Sequence, residues 1–192
     1  MKALLSGYDT TGLVDFAQGL VDLGVELVAR GGAARALAAA GIAHGEIDGV
    51  AGSVAPLERR DHTSTEMARP AIAAFDLVVC NLAPFTMQPS PETIDVDGPA
   101  LLRAAARSYA RVAVVVDPAD YERVLDEVRR AGTLSDATRR RLARAAFAHT
   151  AAYDAAIVSW LDEGDGALLP ATLHLELVRV QDRKSTRLNS SH

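Results

Sequence analysis

The chain has 192 residues, 49% of them hydrophobic and 23% charged, the size and balance of one globular domain that can bury a substantial core. Its formal net charge is −5, and no segment gathers lysines and arginines among aromatics, which excludes a nucleic-acid footprint. No apolar run is long enough to cross a bilayer, the opening MKALLSGYDTTG lacks the apolar core of a signal peptide, and one cysteine cannot form an internal disulfide, so the expectation is a cytoplasmic protein without a membrane partner.

Residues 2–5 read as a strand and residues 12–23 as a helix, with Leu13, Phe16, Ala17, Leu20 and Val21 on one face. Residues 25–29 form a second strand, and Arg30-Gly31-Gly32 turns the chain into a helix over 33–40 that Gly41 stops. A short extended piece at 43–47 precedes an aperiodic loop at 48–62 and a helix at 63–73 that tolerates Pro70. The run FDLVVC, residues 75–80, is an apolar strand that makes Cys80 a buried thiol. A proline-containing loop fills 81–93. Residues 94–110 are an acidic loop entering a helix whose first turn holds Gly98 and Pro99. A buried strand at 112–116 and helices at 119–131 and 135–161 follow, with Ser135 as an N-cap. The last eleven residues, DRKSTRLNSSH, are abruptly polar and resemble the translation of a sequencing adapter. Set aside as a non-native tail, they leave one domain over 1–181; the loss of one acid and three bases takes the formal charge from −5 to −7. Read as native, the same residues are a disordered tail.

Strands alternating with helices predict an α/β fold, a parallel sheet with helices on both faces, and in such sheets ligands bind beyond the carboxyl ends of the strands. Those ends carry Ser6-Gly7-Tyr8-Asp9-Thr10-Thr11-Gly12, Arg30-Gly31-Gly32-Ala33 and Asn81-Leu82-Ala83-Pro84-Phe85, and the loop with Asp95 and Asp97 completes the rim. Two glycines entering a helix let backbone N–H groups approach a phosphate, with Arg30 adding charge; a tight turn explains the same pair. The helix start after Asp95 can hold a polar or anionic ligand, with Arg103 and Arg107 four apart on one face, or can be an ordinary capped helix with solvated arginines. The five histidines and Cys80 show no metal-ligand spacing. His62 reads as an exposed loop residue, His149 as a structural hydrogen-bonding group, Trp160 as a packing anchor, and Tyr153 and Asp154 as parts of a dimer contact.

The segments LLSGYDTTGLVDFAQGL, GVELVARGGAARAL, FDLVVCNLAPF, IDVDGPALLRAAARSYARVAVVVDPADYERVL and RRRLARAAFAHTAAYDAAI, in this order, resemble the N-terminal domain of the bifunctional purine-biosynthesis proteins that carry IMP cyclohydrolase and AICAR transformylase activities. The segment LHLELVRVQ resembles the lead into their transformylase half. The resemblance implies a methylglyoxal-synthase-like three-layer fold, a homodimer, and a purine ribonucleotide ligand, the formylated AICAR ribotide or IMP. It implies no cofactor for this domain, a folate formyl donor serving only the transformylase half. Carried over by position, it makes Asp95 and Arg107 catalytic. Asp9, Thr10, Thr11, Arg30, Gly31, Gly32, Ala33, Cys80, Asn81 and Val96 become substrate-binding.

The departures bear on chemistry. The family's Lys-Thr-Leu-His-Pro stretch has no counterpart in GVAGSVAPLERR, its tyrosine in Asn-Leu-Tyr-Pro-Phe is Ala83, and the lysine ending its Arg-Ala-Ala-Ala-Lys run is Arg107. Asp-Lys-Thr-Gly has become Asp9-Thr10-Thr11-Gly12, and Ser-Gly-Gly-Thr has become Arg30-Gly31-Gly32-Ala33, while Asn81 and Asp95 match. An arginine stabilises charge but does not shuttle protons as a lysine does. Two expectations therefore stand: a slow or rewired IMP cyclohydrolase, or a catalytically degenerate nucleotide-binding or dimerisation module.

Overall fold

The computed structural model describes residues 1–47, 74–87 and 89–162. Five strands, β1 (Lys2–Leu5), β2 (Glu26–Ala29), β3 (Gly45–Glu46), β4 (Leu77–Val79) and β5 (Ala113–Val115), alternate with helices α1 (Leu13–Asp22), α2 (Gly31–Ala39), α3 (Asp97–Arg107), α4 (Tyr121–Ala131) and α5 (Asp136–Asp162). The sheet order is β3-β2-β1-β4-β5 and every pair is parallel. The chain runs outward from β1 through β2 to β3, then returns to the other side of β1 for β4 and β5. That reversal opens a crevice beyond the carboxyl ends of β1 and β4, where α/β sheets bind ligands.

Strand side chains alternate between two cores with period 2. Ala3, Leu5, Leu27, Leu77, Val79 and Val115 pack with Phe16 and Leu20 of α1, Leu37 of α2 and Val124 of α4. Leu4, Val28, Val78 and Val114 face the other way, toward Leu101 and Leu102 of α3 and Ala146 of α5. The strands are apolar at successive positions because both faces are covered.

The α/β layering matches the sequence expectation, with shifts at the element ends. Val21, grouped with the buried face of α1, is 39% exposed, because at 3.6 residues per turn it lies at the border of the stripe set by Leu13, Phe16 and Leu20. The helix expected from residue 33 starts at Gly31, since Arg30 is already the extended N-cap residue (φ −145°, ψ 160°) and Gly31 takes a left-handed φ of +58°. The loop after β4 contains two short 3-10 turns, Phe85–Met87 and Pro91–Thr93. Ser135 caps α5 as expected: its Oγ accepts from the Thr138 N–H at 3.3 Å, and Glu127 of α4 accepts from the Ser135 N–H at 2.8 Å. The expected loop at 48–62 with His62, the helix at 63–73 and the segment from 163 onward lie outside the described residues. No described helix is long and apolar enough to cross a membrane.

Candidate functional site

A cavity of about 400 Å³ opens at the crevice. Ser6, Gly7 and Tyr8 enter it from the end of β1, Arg30, Gly31 and Gly32 from the end of β2, Ile47 from β3, Cys80 from β4, and Asp95 and Gly98 from the start of α3. Hydrogen bonds fix the loops after β1, β2 and β4 and the start of α3. The loop after β1 is clamped to the end of β4 by Asn81, whose Oδ1 accepts from the Asp9 N–H at 2.8 Å and whose Nδ2 donates to the Asp9 carbonyl at 2.9 Å. Asp9 in turn accepts from the Thr11 N–H at 2.8 Å, and hydrogen bonding by Thr11 holds its carboxyl below the usual range. Gly7 permits the clamp, because a Cβ there would stand 2.9 Å from Asn81 Oδ1.

Arg30 lies half-buried beside this loop and donates from Nε to Ser6 Oγ at 2.6 Å. The guanidinium and the amides entering α2 thus share one wall of the cavity, a pairing suited to an anion. The helices α2 and α3 cover opposite faces of the sheet, so Asp95, at the start of α3, lines the cavity from the other side. Its Oδ1 accepts from the Gly98 N–H at 2.9 Å, serving an amide at the start of α3 that has no helical partner. Two residues of α5 hold these loops from behind: the Asp95 N–H donates to the Tyr153 hydroxyl at 2.7 Å, and the Leu82 N–H donates to His149 Nε2 at 3.3 Å.

Cys80 lines the cavity yet is only 2% exposed. Burial pushes its thiol up to about 12, against the pull of the nearby Arg30 charge. The neutral thiol is therefore a wall and not a nucleophile. The folded protein is expected to react slowly with a thiol reagent at pH 8 and completely once unfolded; rapid reaction of the native protein would refute this. The folded value exceeds the ordinary 9.0, so the unfolded state loses its proton first and stability falls as pH rises from about 9 toward 12.

Of the residues assigned to the site by position, Arg30, Gly31, Gly32, Cys80 and Asp95 line the cavity and the others do not. Asp9, Thr10 and Thr11 form the turn into α1, Asn81 is engaged as the loop clamp, Ala33 is fully buried in the core, and Val96 is 72% exposed beside the mouth. Arg107 stands apart from Asp95: it is exposed in the last turn of α3, about 14 Å along the helix axis from Gly98. Arg103, on the same face, pairs with Asp154. Tyr153, read as a dimer residue, is instead buried within this chain, its hydroxyl on the Asp95 backbone and its ring edge-on to Phe85. Trp160 packs edge-on to Phe85 as expected of an anchor. The residues missed as site members are Ser6, Gly7, Tyr8, Ile47 and Gly98. The first three were legible as the end of a strand, whereas nothing local marks Ile47.

Residues 12–109 match the model of the MGS-like domain family. The chain belongs to that family. Residues 105–187 of this MGS-like chain also match the model of the AICARFT/IMPCHase bienzyme. Among its relatives, the bifunctional purine biosynthesis protein PurH of Sorangium cellulosum is 43% identical over 83% of this chain and 35% of its own length. The PurH of Myxococcus xanthus is 40% identical over 95% of this chain and 40% of its own length. The chain thus spans well under half of these curated relatives. The crystal structure of ForH superposes with a TM-score of 0.67 at 30% identity, over 84% of this chain and 98% of that one. The family resemblance carried by the sequence motifs and the α/β fold are both borne out.

Proposed function

We propose that this MGS-like domain binds a purine-pathway ribonucleotide and closes the formylated aminoimidazole carboxamide ribotide to IMP. The observation that carries the reading is one cavity with Arg30 and the Gly31-Gly32 amides on one wall and Asp95 on the other. The first wall suits a 5′-phosphate, and the second offers a carboxylate to a carboxamide N–H. Holding the carboxamide nitrogen against the formyl carbon turns the attack into an intramolecular step, for which effective molarities of about 10⁵ M and above are reached. That the PurH relatives are purine biosynthesis proteins supports the ligand class. The same reading makes the protein a cytoplasmic homodimer whose domain needs no cofactor of its own, a folate formyl donor serving only a transformylase half.

The position of Arg107 favours a second reading, a binding or dimerisation module without turnover. The residue at the family's lysine position lies at the far end of α3 from the cavity in this chain. One experiment separates the two. IMP formation from the formylated ribotide is followed with and without the protein, while IMP binding is titrated in parallel. Acceleration together with IMP binding is the expected result. Binding without acceleration leaves the module, and the absence of both rejects a nucleotide site altogether.

A further inference from the structure

The ring closure proposed above, on which this inference rests, needs an acid for the hydroxyl that departs as water. Among the described residues, five side chains on the cavity wall carry a polar hydrogen or a carboxyl group: Ser6, Tyr8, Arg30, Cys80 and Asp95. Arginine keeps its proton throughout the range of protein chemistry. The Cys80 thiol is buried and held neutral up to about 12, and the Ser6 hydroxyl, an intrinsically feeble acid, already accepts from Arg30. Asp95 is the acceptor facing the carboxamide in the reading above. Tyr8 remains. Its ring is 58% exposed at the mouth, and its hydroxyl reaches the Met87 sulfur at 3.8 Å. A thioether is among the weakest acceptors in a protein, so a substrate oxygen would displace it with little loss. Met87 itself is 65% exposed, which leaves the approach to the phenol open.

We propose that Tyr8 is the catalytic proton donor of this cavity. In the adduct the carboxamide nitrogen is bonded to the former formyl carbon, and the oxygen on that carbon has become a hydroxyl by taking the proton the nitrogen shed. Tyr8 gives its phenolic proton to this hydroxyl as the C–O bond breaks with its electron pair, and water leaves. The formamido nitrogen forms the C=N bond and releases its proton, which restores the phenol. The balance is one ribotide to one IMP and one water, with no oxidant or co-reactant.

The test measures kcat and KM for the formylated ribotide, and IMP affinity, in the full chain and in its Tyr8→Phe and Met87→Leu variants. Tyr8→Phe keeps the exposed ring, so folding is not at risk. It is expected to lower kcat about a hundredfold or more while KM and IMP affinity hold. Met87→Leu, which removes only the resting acceptor, is expected to keep the parent kcat. Unchanged kcat in Tyr8→Phe overturns the role of Tyr8 and spares the ring-closing reading, and so does a loss confined to KM and IMP affinity. An unaltered chain that gives no acceleration overturns both.

Discussion

Alanine at Asp95 is expected to lower the rate of IMP formation by roughly 10²–10⁴-fold, the range for loss of a positioned acid or base. Stability should fall at the same time, because Asp95 Oδ1 also accepts from the Gly98 N–H at the start of α3. Losing a side-chain acceptor at a helix start costs about 1 kcal/mol. The two effects are separable. Asparagine keeps an oxygen for the Gly98 amide and ranks with aspartate as a helix-start residue, but it carries no charge and accepts no proton. Asp95→Asn is therefore expected to unfold at the parental urea midpoint and still lose most of the rate. Should Asp95→Asn keep the parental rate, Asp95 is a helix cap alone and the chemistry belongs elsewhere in the cavity.

The scaffold was largely legible because it is written in short-range patterns. Apolar runs such as FDLVVC and the 3.6-residue stripe of α1 need no knowledge of the partner element to be read. The site was legible where its residues stand at a strand end, as Arg30-Gly31-Gly32 do, or at a helix start, as Asp95 does. What decides each residue's role is contact across the chain. Asn81 reads as a ligand group by position, yet its amide closes on Asp9, 72 residues away, and so builds the loop instead. Tyr153 lies 58 residues from the Asp95 amide that its hydroxyl accepts from, a pairing no local pattern carries. Arg107 shows the opposite failure. The family motif joins it to Asp95 along a continuous segment, but helix geometry sends the two to opposite ends of α3.

Alanine at Gly98 is expected to damage fold and site together. Gly98 is not among the glycines with positive φ, so the backbone would accept a side chain and only space decides. A Cβ there would collide with Asp95 Oδ2 and come within 2.6 Å of Leu82 Cδ2. Neither neighbour yields easily. Asp95 is tied through its own N–H to Tyr153 and through Oδ1 to the Gly98 amide, while Leu82 is buried and its N–H is held by His149. Helix propensity favours alanine over glycine by about 1 kcal/mol, against an overpacking cost of roughly 1–3 kcal/mol at a well-packed position. The clash wins, so Gly98→Ala should lower Tm, and by displacing Asp95 it should also slow IMP formation. Gly19 in α1 is the matched control. A Cβ there would stand 2.8 Å from a Leu125 methyl, the far end of a flexible side chain that is only partly buried. The same propensity gain then meets a neighbour that can turn aside, so Gly19→Ala should hold Tm and leave the rate alone. Equal Tm values for the two variants, read by thermal unfolding, would mean that the packing around Asp95 is looser than these contacts require, and that α3 does not hold its carboxylate in one place.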